Sequence, residues 1–393
     1  MEPKKITDGV FWVGAVDWDR RLFDALIPLP DGTSYNAYLV RGTEKTALID
    51  TVDPSKSAIL LSQLSGVERL DYIVSHHAEQ DHSGTIPLVM ERYPEARVLC
   101  GAKCKEYLID LLQIPGERVD VMDDGDTVDL GAKTLEFIST PWVHWPETFS
   151  TYLREDRVLF TCDLFGSHYA TSGLYVDEEW KVCEAAKRYY AEVMMPFRVT
   201  IRKHVERLGA YEARFIAPSH GPVHRNVDCI LSAHREWISD SLVNKVVIPY
   251  TSMHGSTEMM VDYLTEALVA RGIDVERFNL AVTDTGKLAM SIVDAATIVV
   301  GSPTVLTGAH PVVVSAAFMV NALRPKLKFA SIIGSYGWAG RMAEQVKSVM
   351  PNLKAEWIEP VLIKGRPKGE DLGALDGLAA AISARHRESG LVK

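Results

Sequence analysis

The sequence predicts an α/β protein built in two parts, the second of them a doubly wound parallel sheet. Three observations carry that reading. At 393 residues the chain is long enough for two or three domains of about 100–200 residues each. Short β-branched and aromatic runs alternate with segments of helical apolar spacing. Several of those runs end in loops rich in His, Asp, Ser, Thr or Gly, at the edge where open α/β sheets place their sites.

In chain order, strand-like runs come first at Phe11–Val16, Tyr35–Val40, Thr46–Ile49 and Tyr72–Val74, each bounded by turn formers. Ala58–Leu64 and Thr85–Arg92 have helical spacing. Strands dominate from Arg118 to Phe160, with turns at Asp124-Gly125 and between Asp129 and Lys133. Glu178–Leu208 reads as one or two long helices, followed by a short strand, Phe215–Ala217, and a helical stretch, Asp228–Ser239. The pattern then changes. Strands at Val246–Ile248, before Asn279, at Thr297–Val300 and at Phe329–Ile333 alternate with helices from Glu258, after Pro311 and after Gly340. This alternation predicts the doubly wound parallel sheet. A last helix includes Leu378–Ala384. We divide the chain into domains 1–242 and 243–393.

Composition excludes several classes. Apolar residues are 47% and charged residues 24%, the balance of a globular protein and not of a disordered or coiled-coil chain. A net charge of −10 argues against a nucleic-acid partner. No apolar run reaches the ~18–20 residues of a membrane span. The N-terminal Glu2-Pro3-Lys4-Lys5 lacks an apolar signal stretch, so a cytoplasmic location is expected. The five cysteines are scattered without a Cys-x-x-Cys pair, which supports neither a disulfide framework nor a zinc ribbon. Residues 243–393 hold 16 basic and 14 acidic residues; the rest of the chain holds 26 and 38. That asymmetry can steer a partner or a second subunit.

The densest chemistry follows the strand Tyr72–Val74, in Ser75-His76-His77-Ala78-Glu79-Gln80-Asp81-His82. In an extended segment alternate residues point the same way, so His77, Glu79 and Asp81 can converge while His76 faces away. A helix starting just after His82 would turn that imidazole toward the same centre. Other strand ends supply His144, Asp163 and His220. Four imidazoles and three carboxylates suffice for two metal ions with a bridging carboxylate. One His at a strand end is more often structural; seven such groups at strand ends are not.

This set resembles the metallo-β-lactamase fold, whose usual first cluster is His-x-His-x-Asp-His. Here Glu79 stands in place of the second His. A third carboxylate hardens the site and shifts its preference from zinc toward iron or manganese. That exchange marks the flavodiiron proteins, also called A-type flavoproteins.

The second domain agrees. Thr251-Ser252-Met253-His254-Gly255-Ser256-Thr257 follows a buried strand and opens a helix. Backbone N–H groups, hydroxyls and a helix N-terminus can hold a phosphate there without Lys or Arg. The loop resembles the FMN-phosphate loop of flavodoxins. Ser302-Pro303-Thr304-Val305-Leu306-Thr307-Gly308 and Ser335-Tyr336-Gly337-Trp338-Ala339-Gly340 match the loops that wrap the isoalloxazine, with Tyr336 or Trp338 able to stack on it. Leu306 stands where relatives often have Asn. Met253, Met259 and Met260 read as core.

The resemblance spans nearly the whole chain, including Val13–Trp18 and Ser34–Val40. It implies an N-terminal metallo-β-lactamase-like αββα sandwich followed by a flavodoxin-like domain. It further implies FMN and a diiron centre, and reduction of dioxygen to water, of nitric oxide to nitrous oxide, or of both. One iron would be held by His77, Glu79 and His144, the other by Asp81, His82 and His220, with Asp163 bridging. His168 and Trp145 would line the pocket. In the family a head-to-tail homodimer, in some cases within a tetramer, brings the flavin of one subunit to the irons of the other. With no rubredoxin-like cysteine pair, the chain resembles the minimal form served by an external donor, either rubredoxin or a reduced deazaflavin coenzyme. Many relatives carry His-Gly-Tyr where Asp24-Ala25-Leu26 stands, in a loop that approaches the metals. Two other readings stay open. One is a zinc hydrolase of the metallo-β-lactamase superfamily fused to an electron-transfer domain. The other is a flavin electron carrier with a structural metal site.

Overall fold

The computed structural model describes residues 2–338 and 340–392; Ala339, assigned above to the third flavin loop, lies outside them. The chain divides into two compact units. The first is Met1–Tyr189 with Phe197–Ile238; the second is Tyr190–Pro196 with Ser239–Lys393.

Two sheets make the first unit. One has seven strands in the spatial order Lys4–Thr7, Val10–Trp12, Tyr38–Arg41, Thr46–Ile49, Tyr72–Val74, Arg97–Cys100, Val119–Val121. Its early pairs are antiparallel and its later pairs parallel. The other has five, Thr127–Asp129, Thr134–Ser139, Phe149–Leu153, Val158–Cys162 and Phe215–Pro218. Period-two alternation assigns the faces of the first sheet. Leu48, Ile73 and Val98 turn outward, into a core shared with Leu60, Leu64, Val89 and Leu108 of the covering helices. Ile49, Val74 and Leu99 turn inward against Phe137, Phe160 and Phe215 of the second sheet. The outward residues of that second sheet, Ile138, Leu159 and Ile216, are just as buried. On this side lie helices Arg198–Leu208 and Val227–Ile238. His204 of the first donates to the Pro141 carbonyl, and His234 of the second packs on Phe165. The result is the expected αββα sandwich.

The long helical stretch 178–208 is two helices, Glu179–Tyr189 and Arg198–Leu208. A π turn and a 3-10 turn separate them, because Pro196 supplies no backbone N–H to a continuous ladder. No helix among the described residues is long and apolar enough to cross a membrane.

In the second unit the strands lie in the order Asp274–Asn279, Val243–Tyr250, Ala295–Val305, Phe329–Tyr336, and then Glu356–Trp357 with Val361–Lys364. Apart from the short return strand Gly308–Ala309 every pair is parallel, in the 2-1-3-4-5 order of flavodoxin-like sheets. Val246, Ile248, Val299 and Ile333 pack with Met260, Leu264 and Leu268 of helix Ser256–Val269 and with Leu375, Leu378 and Ile382 of helix Gly369–Glu388.

Two local expectations fail. The stretch from Gly301 is not a loop: the strand runs to Val305 and turns back through Gly308–Ala309. Leu306 and Thr307 form the two-residue turn, both with positive φ (49° and 71°), as a right-twisted hairpin requires. Pairing with Phe329–Tyr336 carries the strand through Gly301-Ser302-Pro303 and overrides their turn propensity. Met253 and Met259 are not core, being 52% and 36% exposed; Met260 alone of the three is buried.

Candidate metal centre and flavin cleft

Every proposed ligand leaves the end of a strand of the first unit. His77 and Glu79 follow strand Tyr72–Val74, and the four-residue helix Gln80–Ser83 presents Asp81 and His82. That helix starts earlier than the expected point after His82. The Glu79 carbonyl accepts from the His82 and Ser83 N–H groups, so the backbone is already turning at Asp81. Asp81 therefore does not converge with His77 and Glu79 but turns to a second group. Asp163 closes strand Val158–Cys162, and His220 follows strand Phe215–Pro218. His144 sits in the loop between strands Thr134–Ser139 and Phe149–Leu153.

The seven side chains form two groups around one carboxylate. Ligand atoms of His77, Glu79, His144 and Asp163 lie within 4.8 Å of one another, and so do those of Asp81, His82 and His220. Glu79 Oε2 is 3.1 Å from Nε2 of both His77 and His144. Asp81 Oδ2 is 3.2 Å from His220 Nε2. Asp163 faces both groups: Oδ2 is 3.7 Å from His77 and His144 Nε2, and Oδ1 is 3.1 Å from His82 Nε2 and 3.5 Å from His220 Nε2.

Neighbours fix the ring orientations. His77 Nδ1–H donates to Glu147 Oε1 at 2.7 Å, and His220 Nδ1–H donates to the Ser34 carbonyl at 2.7 Å. Each Nε2 lone pair is thereby left facing the centre. His76 points elsewhere, to Asp50 and Thr151.

The electrostatics match cation binding. Burial by itself would raise Asp163, but His82, His77 and His220 hold it well below the usual carboxylate range. Glu79 is lowered likewise, its burial outweighed by the adjacent imidazoles of His144 and His77. His82 is pushed up to about 9, since Asp81 and Asp163 outweigh its burial. Both oxygens of Asp81 and of Asp163 are buried and accept no hydrogen bond in acceptable geometry. Buried carboxylate oxygens without donors are costly unless a cation meets them. The donor set is oxygen and imidazole nitrogen without thiolate, which suits iron or manganese and admits zinc. The residues fit a two-metal centre.

The second unit has a cleft at the carboxyl ends of its strands. It is lined by Ser252, Met253, His254, Ser256 and Thr257 from the first expected loop, Pro303 and Thr304 from the second, and Ser335, Tyr336 and Gly337 from the third. Gly365, which sequence reasoning missed, completes the wall. Gly255 stands before helix Ser256–Val269 with φ +84°. Ser252 Oγ accepts from the N–H of Gly255 and of Glu258, which leaves the N–H groups of Ser256 and Thr257 for a ligand. A Cβ on Gly337 or Gly365 would enter open space. Hydroxyls, free N–H groups and a helix N-terminus suit a phosphate, and the open glycine wall suits a planar ring. The residues fit FMN. Thr251 and Ser302 are buried, their backbone or hydroxyl groups bonded within the fold. Gly255, Val305, Leu306, Thr307, Gly308, Trp338 and Gly340 do not line the cleft, and Leu306 and Trp338 are largely solvent-exposed.

Comparison with known proteins agrees with this geometry. A family model described as "ODP family beta lactamase" matches residues 33–221. The chain is 37% identical to a nitric oxide reductase of Moorella thermoacetica, over 98% of this chain and 99% of that one. The solved rubredoxin oxygen:oxidoreductase of the anaerobe Desulfovibrio gigas superposes with a TM-score of 0.95 at 30% identity, covering 99% of this chain and 100% of that one. The flavodiiron protein of Giardia intestinalis gives 0.90 at 27%, covering 98% and 97%. The chain belongs to the flavodiiron protein family.

Around the metal centre of this flavodiiron protein, His168 packs 4.8 Å from His220 and shares a hydrogen bond with Thr33 Oγ1 at 2.8 Å. Burial lowers it well below the usual imidazole range, so it is neutral. Trp145 meets His77 edge to face at 4.9 Å. Two neighbours, Glu147 and Tyr189, escaped sequence reading, and a third, Asp24, was expected. Glu147 lies three residues past His144, a spacing that was open to notice. Tyr189 packs on His168 and His220 from a helix end that carries no motif. Asp24 sits in the turn between strands Leu22–Phe23 and Ile27–Pro28, with φ +48°. Its carboxyl is pushed up to about 6 by burial, then by the charges of Glu79 and Asp81. The loop expected near the metals does reach the Glu79 and Asp81 carboxylates, carrying a carboxyl where relatives often have an imidazole.

Proposed function

We propose that the chain is a flavodiiron oxidoreductase that reduces dioxygen to water, nitric oxide to nitrous oxide, or both. Residues 1–242 would hold the diiron centre and residues 243–393 the FMN. The observation that carries this reading is Asp163, whose two oxygens face two separate ligand groups. When bound, a ferrous pair would supply two electrons, enough to couple two nitric oxides and half of the four that take dioxygen to water, and FMN would relay the rest singly from a donor.

The residues serve that chemistry as follows. His77, Glu79 and His144 form one wall and Asp81, His82 and His220 the other, and Asp163 bridges them. Three carboxylates among neutral imidazoles offset most of the charge of two divalent ions. Glu147 and the Ser34 carbonyl keep His77 and His220 in register. Trp145 and Tyr107, 6.1 Å apart edge to face, shield the His77 side from water. Ser256 and Thr257 bind the flavin phosphate, and Gly337 and Gly365 admit its ring. An external donor, rubredoxin or a reduced deazaflavin coenzyme, delivers the electrons. A head-to-tail dimer pairs flavin with metal centre across subunits, and the opposite charge balance of the two domains supports it.

The test is anaerobic stopped-flow mixing of reduced, iron- and FMN-analysed protein with dioxygen and with nitric oxide in parallel. Reoxidation by either gas within seconds is expected, and the faster gas is the preferred substrate. If neither reoxidises a fully loaded sample, or if the purified protein holds zinc and hydrolyses esters, the proposal fails.

A further inference from the structure

Outside the metal centre and the cleft, one cluster of reactive groups stands apart. All five cysteines are free; Cys100, Cys104 and Cys162 are buried, whereas Cys183 and Cys229 are partly exposed. The latter two are 46 residues apart in sequence, yet their sulfurs are 3.8 Å apart, in van der Waals contact. Cys183 belongs to helix Glu179–Tyr189 and Cys229 to helix Val227–Ile238. Both open onto a cavity of about 90 Å³, flanked by Glu179, His224 and Arg225. It is large enough for a few water-sized molecules, hence for a small oxidant. The gap to a disulfide is under ~2 Å, within reach of side-chain rotation on two adjacent helices.

We propose that Cys183 and Cys229 are a reversible oxidation site that closes to a disulfide under peroxide and ties these two helices together. Both sulfurs open onto the cavity, so either can meet the oxidant; the steps are written for attack by Cys183. The Cys183 sulfur takes one peroxide oxygen, the O–O bond breaks, and sulfenic acid and water result. The Cys229 sulfur then attacks the sulfenic sulfur. The S–S bond forms, the S–O bond breaks, and the departing hydroxide takes the Cys229 proton as a second water. Two thiols lose two electrons and hydrogen peroxide gains them.

The position gives the bond a consequence. Cys183 is six residues, about 9 Å along the helix, before Tyr189. Tyr189 packs 5.7 Å from His220, and the Cys229 helix begins seven residues after His220. A disulfide would thus brace both elements that flank His220. Elsewhere in the chain no such thiol pair is both adjacent and accessible among the described residues: Cys104 and Cys100 are adjacent but buried.

The experiment treats the anaerobically purified, reduced full-length protein with hydrogen peroxide, and in parallel with the thiol oxidant diamide, which needs no metal chemistry. Denaturing alkylation and peptide mapping follow. The expected product is one Cys183–Cys229 cross-linked peptide pair within a single chain, lost on dithiothreitol treatment, with Cys100, Cys104 and Cys162 alkylated in full. The oxidised protein should melt a few degrees higher than the reduced one, a difference absent in Cys183→Ser. In Cys229→Ser, peroxide should leave a sulfenic acid on Cys183 that dimedone traps. Full alkylation of both cysteines after diamide, overoxidation of either without a cross-link, or a bond between chains would overturn the proposal.

Discussion

At one edge of the first unit, two carboxylates and four imidazoles, most of them buried, gather around Asp163, itself fully buried. The cleft of the second unit has no carboxylate and a single imidazole, His254; the rest of its lining is mainly hydroxyls, helix N–H groups and glycine backbone, and it stays open. The first site would bind through charged side chains, two of whose imidazoles are oriented by Glu147 and the Ser34 carbonyl. The second would bind largely through backbone, whose N–H groups are available to the cleft only because the loop folds as it does. Loss of one side chain should therefore disable the first site, whereas the second is harmed by an unwelcome addition.

The largest effect expected from this contrast is at Asp163. Asp163→Asn keeps the shape and removes the shared charge, so iron per chain should fall by at least half and turnover by about 100-fold or more. Metal analysis with gas-uptake kinetics reads both. Retention of two irons at full turnover would show that the two groups do not depend on a common ligand. Next comes Ser256→Asp, which adds a negative charge at the helix N-terminus facing the phosphate. FMN affinity should drop about 10–100-fold by fluorescence titration, with iron content unchanged. An unchanged affinity would move the phosphate elsewhere.

How legible each site is in the sequence follows the same contrast. The seven proposed ligand residues stand out because few structural roles call for His and carboxylates at so many strand ends. Their grouping did not: an extended run lets Asp81 join His77, and only the helical turn at Gln80–Ser83 sends it to His220. Glu147 and Tyr189 stayed hidden, since a lone Glu or Tyr carries no spacing signal. In the second unit all three segments of the cleft were visible from Ser, Thr and Gly, but which of their residues face the cleft was not. Ser302 and Leu306 belong to a strand extension and its hairpin turn, because sheet pairing overrode local turn chemistry. Gly365 directly follows a strand, Val361–Lys364, that sequence reading passed over.

Smaller effects sharpen the comparison. Asp24 is more easily protonated in the folded chain than unfolded, where it would titrate near 3.8. Its contribution thus favours the folded state at low pH and is lost as pH rises through about 6. In chelator-treated protein, Asp24→Asn should gain melting temperature over the parent as pH rises from 4 to 7. A constant difference would mean that the carboxyl does not sense Glu79 and Asp81. Smallest of all, Leu306 is 92% exposed with φ +49°, a strained position for a residue whose side chain makes little contact. Leu306→Asn should stabilise the second unit by about 0.5–1 kcal/mol and leave FMN affinity unchanged. A loss of affinity would return this turn to the flavin site.

The central claim is that two metals share Asp163 in the first unit. Mössbauer spectroscopy of the 57Fe-loaded, air-oxidised protein tests it most directly, because exchange coupling between two ferric ions requires a common ligand. A diamagnetic ground state accounting for nearly all of the iron, lost in Asp163→Asn, is the predicted result. Magnetically isolated ferric sites in the intact protein would contradict it.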